Sequence, residues 1–338
     1  MKKLFLIPFL FVALISFSQP RFVVQNVTSA VFPNINDAIT AASAGDTLYL
    51  PGGGLTISVA TISKTLHWIG VGHYPDSTLA TGQTRITSAL TFTGACDNSS
   101  FEGIEFVSNL YFGDATDDAI DITIRRCRVR GNLRLRAIST DTTNINALIS
   151  ESVLSSLSGN NASNCLIEKC IINRPIDHFY QSLFRFNSMN IYDYYGQALK
   201  YCTSCQFRNN VFVFHSGLSA IESCEFSNNL YSSALPFDPD ASTNSGSNNI
   251  VSVASVDIYT SITGNAYDFS YGHDYHLKTG CAGIGAADDD TDIGIYGSLL
   301  PYKAGAVPFY PHVRSIAIDN AATNGQLGVK ITVAAQER

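Results

Sequence analysis

Arginine gathers most densely between positions 125 and 136, where Arg125, Arg126, Arg128, Arg130, Arg134 and Arg136 fall within twelve residues. A guanidinium pairs bidentately with a carboxylate, so such a run is suited to gripping an acidic polysaccharide. Just upstream stand Asp114, Asp117, Asp118 and Asp121, hard oxygen donors of the kind Ca²⁺ prefers; a solvated acidic loop is the competing reading. Asp117, Asp118 and Asp121 with Arg130, Arg134 and Arg136 form one candidate patch. A second set is aromatic: His178, Phe179 and Tyr180, then Tyr192, Asp193, Tyr194 and Tyr195, with Arg185 between them. Flat rings beside polar groups suit sugar rings, and the alternative is that they pack on one another. The ligand-binding candidates are therefore His178, Tyr180, Arg185, Tyr192, Asp193, Tyr194 and Tyr195. His273, Asp274 and His276 resemble a metal set, but no strand or helix spacing converges three ligands there, and no metal site is assigned. The chain carries no Gly-rich phosphate loop, nucleophile elbow or helical His motif, and no catalytic residue is assigned.

The elements that must position these groups are short repeats. Phe101, Ile124, Ile149, Ile167, Phe186, Phe207, Phe226 and Ile262 serve as anchors; five residues after each stand Phe106, Val129, Leu154, Ile172, Ile191, Phe212, Tyr231 and Tyr267, all large and apolar. Units of about 20 residues cannot bury a hydrophobic face alone and must stack on their neighbours. Small or apolar residues two before most anchors give the period of two of a strand, facing inward. The bend between anchor and plus five suits Asn, and Asn210, Asn229 and Asn265 at plus three are expected to form one stacked ladder. In this register Glu102 pairs with Arg125, Glu105 with Arg128, and Arg126 with Glu151 and then Lys169. Those would be ordinary cross-strand charge pairs. Arg130, Arg134 and Arg136 are left without an evident partner, and Arg185, one before an anchor, points outward.

Before the repeats, Phe22-Val23-Val24 reads as a strand, Asn34 as the N-cap of a helix over Ile35 to Ala42, and Thr47 to Leu50 as a strand stopped at Pro51. The stretches 32–39 (FPNINDAI) and 44–52 (AGDTLYLPG) resemble the N-terminal cap of pectin-lyase-like right-handed parallel β-helix proteins. The stretch from Tyr275-His276-Leu277 to Tyr296-Gly297 is similar to the last coil of secreted members. The resemblance covers roughly residues 22–300 and implies an all-β fold, a single-stranded right-handed parallel β-helix with an N-terminal capping helix. It also implies a superfamily of polysaccharide lyases, glycoside hydrolases, esterases, epimerases and non-enzymatic surface proteins. Its lyases use Ca²⁺ and a basic residue, but none of their motifs matches here residue by residue. Ca²⁺ is thus an expectation only for a lyase.

Residues 1–18 carry a basic start at Lys2 and Lys3 and an apolar run from Leu4 to Ile15, the pattern of a signal peptide cleaved after Ser18. Residues 19–300 are assigned to the β-helix and 301–338 to a tail in which Ile316, Ile318, Leu327, Val329, Ile331 and Val333 alternate about Asn324-Gly325. That is a hairpin, expected to cap the C-terminal end of the solenoid. The net charge of −7, or −9 without Lys2 and Lys3, argues against nucleic acid. No later apolar run reaches the ~18 residues of a membrane span. The eight cysteines sit mostly at inward repeat positions, which favours buried free thiols, with Cys202 and Cys205 the one local pair. The expected protein is exported, whether secreted, periplasmic or surface-held, and binds a polysaccharide or cell-surface glycan without assigned catalysis. A lyase or hydrolase acting on acidic polysaccharide, and a purely structural or adhesive solenoid, are the alternatives.

Overall fold

The computed structural model describes residues 21–137, 143–191, 197–214, 217–237, 242–262, 267–305, 307–308 and 311–334. The signal-peptide segment, Tyr192, Asp193, Tyr194, Tyr195 and Asn265 lie outside them. The chain folds as a parallel β-solenoid of about nine turns. Each full coil contributes strands to three ladders. The first ladder runs through Ser100–Glu102, Thr123–Arg125, Leu148–Ser150, Leu166–Glu168, Leu183–Arg185, Gln206–Arg208 and Glu225–Ser227. The second stacks residues 105–106, 128–129, 153–154, 171–172, 188–191 and 211–214, and the third stacks 110–112, 133–134, 157–158, 176–177 and 199–200.

Register explains the core. Phe101, Ile124, Ile149, Ile167, Phe184, Phe207 and Phe226 pair in succession along the first ladder. All are buried, and Phe184, Phe207 and Phe226 stack as parallel rings 4.8 and 4.7 Å apart. Two expected anchors are corrected. Phe184, not Phe186, occupies the fifth, so Met189 rather than Ile191 takes its plus-five place. Gly246, not Ile262, follows Phe226.

The coils bend because recurrent positions take the left-handed backbone, two in each coil from Phe101 to Phe226 and a third, six before the anchor, at Asn161, His178, Tyr201 and Ala220. Two residues after the anchor lie Gly103, Arg126, Glu151, Lys169, Phe186, Asn209, Asn228 and Asn248, and three before it lie Asn98, Asp121, Asn146, Asn164, Gln181, Ser204 and Ser223, all with φ between 45° and 68°. Asn visits this region more readily than most residues, which accounts for its abundance here. The inward Asn ladder is a separate device one position on. Nδ2 of Asn187 donates to Oδ1 of Asn210 at 3.0 Å, Asn210 to Asn229 at 3.0 Å, and Asn229 to Asn249 at 3.1 Å. The expected row of Asn210 and Asn229 therefore stands, but it starts at Asn187 and ends at Asn249.

The N-terminal end is closed as expected. Helix Ile35–Ala41 starts at Asn34, whose Oδ1 accepts the Asp37 N–H at 2.8 Å, and turns Ile35, Ala38 and Ile39 inward. Strand Phe22–Gln25 pairs antiparallel with Ser29–Phe32 and with Asp46–Tyr49.

After residue 250 the chain does not continue coiling. It turns back and runs along the outside of the solenoid as a strap. Gly294 donates to the Asn209 carbonyl at 2.8 Å, the Phe186 ring packs where a Cβ on Gly297 would fall 2.8 Å from it, and Pro308 lies so close to Gly103 that a Cβ there would meet it at 2.5 Å. The strap thus travels from late coils to early ones along the left-handed corner. Ile258, Tyr259, Tyr275, Ile293, Ile295 and Tyr302 form a second core with the outward residues Val153, Ile171, Val211 and Leu230 of the second ladder. Burying each of those aliphatic side chains is worth about 1.5–3 kcal/mol. The stretch expected as a last coil is part of this strap: Asp274–Leu277 pairs antiparallel with Tyr259–Ser261.

The C-terminal hairpin forms over His312–Ile318 and Val329–Ala334. It does not cap the last coil. Pro311, just before it, lines a cleft with Tyr49, Leu50 and Ile69 of the early coils, because the strap has already carried the chain back. Its Ile316, Ile318, Val329, Ile331 and Val333 are about half exposed. Among the described residues, no helix is long and apolar enough to cross a membrane.

Candidate functional site

Outward residues of the second ladder change character along its length. The row one before plus five reads Arg85, Glu105, Arg128, Val153 and Ile171. Where it is apolar the strap seals it. Where it becomes charged, Glu105 is buried between two guanidiniums, with Arg85 Nε at 2.6 Å and Arg128 Nη1 at 3.4 Å. Arg128 is then clasped by the strap, its Cζ lying 4.9 Å from the ring centres of both Phe269 and Tyr271. Beneath Tyr271 lies His73, wholly buried, with Nδ1 3.3 Å from the Tyr271 hydroxyl. Burial, and secondarily the charge of Arg128, hold His73 down at about 3, so the ring is neutral across the physiological range.

Beside this clasp a cleft of about 190 Å³ opens between the second ladder and the strap, lined by Arg128, Arg130, Ser155, Asn173, Arg174, Asp268 and Phe269. Arg130, Ser155 and Asn173 follow plus five by one residue in three successive coils, so stacking the coils brings them into one row. Asn173 is 5% exposed, and its Nδ2 has no hydrogen-bond partner among the described residues. Arg174 donates through Nη1 to the carbonyls of Asn173 and Tyr267, both at 2.9 Å, and through Nη2 to Asp268 Oδ1 at 2.7 Å. Arg130 is exposed at the rim. The lining is rich in donors and cations, with one carboxylate, that of Asp268. It offers an anion hydrogen bonds and a charge, and Phe269 supplies a flat apolar wall.

The candidate patch read from the sequence is divided by the structure. Arg130 belongs to the cleft. Arg136 is buried and its Nε donates to Asp118 Oδ2 at 2.8 Å, a partner not expected for it; both are committed to each other and to the coil corner, where Asp118 Oδ1 also accepts the Ala137 N–H. Arg134 lies over Tyr111, 4.4 Å from the ring centre. Asp121 is a left-handed corner residue that accepts from Asn146 Nδ2 at 3.0 Å, and Asp117 is exposed with its Oδ1 accepting the Asp118 N–H. Among the described residues no three His, Cys, Asp or Glu side chains converge on a metal position. Asp118 and Asp121 each accept a hydrogen bond at a coil corner. Of the expected charge pairs, Glu105–Arg128 and Arg126–Glu151 form as read, the latter at 3.0 Å, and Glu102 and Arg125 are register partners.

The aromatic candidates fare differently. Residues 176–180 form a strand of the third ladder, in which Phe179 is buried in the core. His178 stacks on Tyr201 at 4.5 Å and bonds Asp177 at 3.0 Å, and Tyr180 is half-buried at the end of the same strand. Arg185 lies on the first ladder, outward as expected, with Nη2 2.7 Å from Glu168. These residues sit on two sheets rather than one surface, because the coil turns at Gln181 and Ser182 between them. His273 and His276 are likewise occupied within the strap, the former against Tyr275 and the latter stacked on Tyr296 at 3.6 Å.

Sequence reading missed Ser155, Asn173, Arg174, Asp268 and Phe269. The signal was present. Tyr267, Phe269 and Tyr271 alternate in a segment that belongs to no coil, and Val153, Ile171, Val211 and Leu230 make an apolar row at positions that should face solvent. Together they announce a strap. No protein-family model matches the chain, and none of the curated proteins matches it in sequence.

Proposed function

We propose that this chain is an exported β-helix protein, of the pectin-lyase-like architecture, that binds acidic glycans through the cleft between its second ladder and its strap. The observation that carries this reading is the convergence of Arg130, Asn173 Nδ2, Ser155 and Arg174 beside the Phe269 ring. A hexuronate presents a carboxylate for the donors and an apolar ring face for Phe269. The cleft is smaller than the roughly 300–1,000 Å³ typical of drug-sized ligands, so it takes one charged sugar of a longer chain, the remainder lying on the open coil surface. Arg128 is already held by Glu105, Phe269 and Tyr271 and acts as the clasp that shapes the wall. Arg130 is the cation left for ligand.

The test is titration calorimetry with a trigalacturonate on wild type and Arg130→Ala. Binding that weakens at least tenfold in the variant, with an unchanged melting temperature, supports the reading. Equal binding by both proteins, or none by wild type across carboxylated and sulfated oligosaccharides, refutes it. Unsaturated or reducing ends accumulating with time would make the protein an enzyme.

A further inference from the structure

Asp268 introduces the wrong charge for an anion site, and its geometry suggests what it does there. It belongs to the strap, it lies 2.7 Å from Arg174 Nη2, and it lines the same cleft as Arg130 and Asn173. Arg174 is itself fixed by two carbonyls on Nη1, so its Nη2 edge is presented in a constant direction. Asp268 and Arg174 are both partly exposed, at 58% and 39%, and an ion pair in that setting is weak enough to exchange.

We infer that Asp268 is an internal stand-in for the ligand's carboxylate: it neutralises Arg174 while the cleft is empty and is displaced when an acidic sugar enters. The inference rests on the glycan-binding reading above and adds its regulation. A free carboxylate competes with Asp268 for one guanidinium edge and is also repelled by it, so the strap sets the affinity threshold of the site. Ligands carrying a single carboxylate must displace Asp268 with one contact. Chains that also engage Arg130 and the coil surface do so with several, and the device therefore favours oligomers over monomers.

The experiment compares trigalacturonate and galacturonate binding to wild type, Asp268→Asn and Asp268→Glu by titration calorimetry, with urea midpoints confirming that each variant is folded. Removing the charge is expected to tighten both ligands by about three- to tenfold, the range of an exposed ion pair and its repulsion, with the larger gain for the monomer. Asp268→Glu, which keeps the charge on a longer stem, is expected to gain less affinity than Asp268→Asn for both ligands. Wild-type binding that is unchanged or weakened in Asp268→Asn overturns the stand-in role while leaving the glycan site in place. Absence of binding in all three proteins overturns both.

Discussion

Arg126 Nη1 donates to the carbonyl of Val307 at 2.9 Å, across 181 residues of sequence, from a side chain only 1% exposed. The bond fastens the far end of the strap to an early coil. Arg126 also holds Glu151 at 3.0 Å, so truncation leaves a carboxylate that is largely buried without its cation and a carbonyl without its donor. Breaking a buried pair by removing one partner costs about 3–5 kcal/mol. Arg126→Ala is expected to lower the urea unfolding free energy by about 3 kcal/mol and to make residues near 300–308 the first site of limited proteolysis. A loss below about 0.5 kcal/mol, the range of ordinary surface substitutions, would show that the strap end is held otherwise.

His73 gives the fold a defined response to acid. In the folded protein it titrates at about 3, against 6.5 when exposed. Below pH 6.5 the unfolded chain takes up a proton that the folded chain refuses, so this contribution is complete above 6.5 and declines as pH falls toward 3. Between pH 7.5 and 4.5 wild type is expected to lose about 2–3 kcal/mol more stability than His73→Phe, which keeps a ring and removes the titration. Parallel pH profiles for the two proteins in urea would refute it.

The Phe186 error shows what was legible and what was not. Periodic apolar residues disclosed the coils and the inward Cys positions, because each coil is a local pattern repeated, while Asn34 and one apolar helix face disclosed the N-terminal cap. Phe186 defeated the same logic. It is apolar because strap residues cover it from outside, and it holds φ at 55°, a conformation unusual for a bulky residue. Packing by a segment about a hundred residues distant leaves no periodic trace at the site it covers. The cleft was half hidden for the same reason: Arg130 stands in a conspicuous run, whereas Asp268 and Phe269 acquire meaning only once the strap folds back.

The cysteines yield a simple chemical expectation. All eight are buried and free. Burial pushes Cys96 and Cys165 up to about 11 and Cys127 to about 12, so these thiols stay protonated and inert at pH 8. Iodoacetamide is expected to label few or none in the native protein and all eight in 8 M urea without reductant. Labelling in urea that requires prior reduction would reveal disulfides, with Cys202, Cys205 and Cys224 the first to inspect.

The Asn ladder is the part of the core with the most to lose from one atom. Asn210 Nδ2 donates to the Phe184 carbonyl at 2.9 Å and to Asn229 Oδ1 at 3.0 Å, while its Oδ1 accepts both the backbone and the side-chain N–H of Asn187. All four bonds are buried, so Asn210→Ala strands two N–H donors of Asn187 and takes a donor from the Phe184 carbonyl, each at about 1–3 kcal/mol unless water replaces the amide, while Asn229 Oδ1 keeps the Asn210 backbone N–H at 2.9 Å. Asn210→Leu fills the volume but satisfies nothing, and Asn210→Asp supplies acceptors where two donors are needed. The expected order of stability is wild type, then Ala, then Leu and Asp, with the Ala variant about 3 kcal/mol below wild type in urea unfolding. Asn228, whose left-handed corner backbone bears the bend, provides the contrast: Asn228→Gly is expected to change stability by only a few tenths of a kcal/mol, because Gly adopts that conformation freely. If the Asn210 and Asn228 variants lost stability equally, the inward ladder would not be what holds adjacent coils in register.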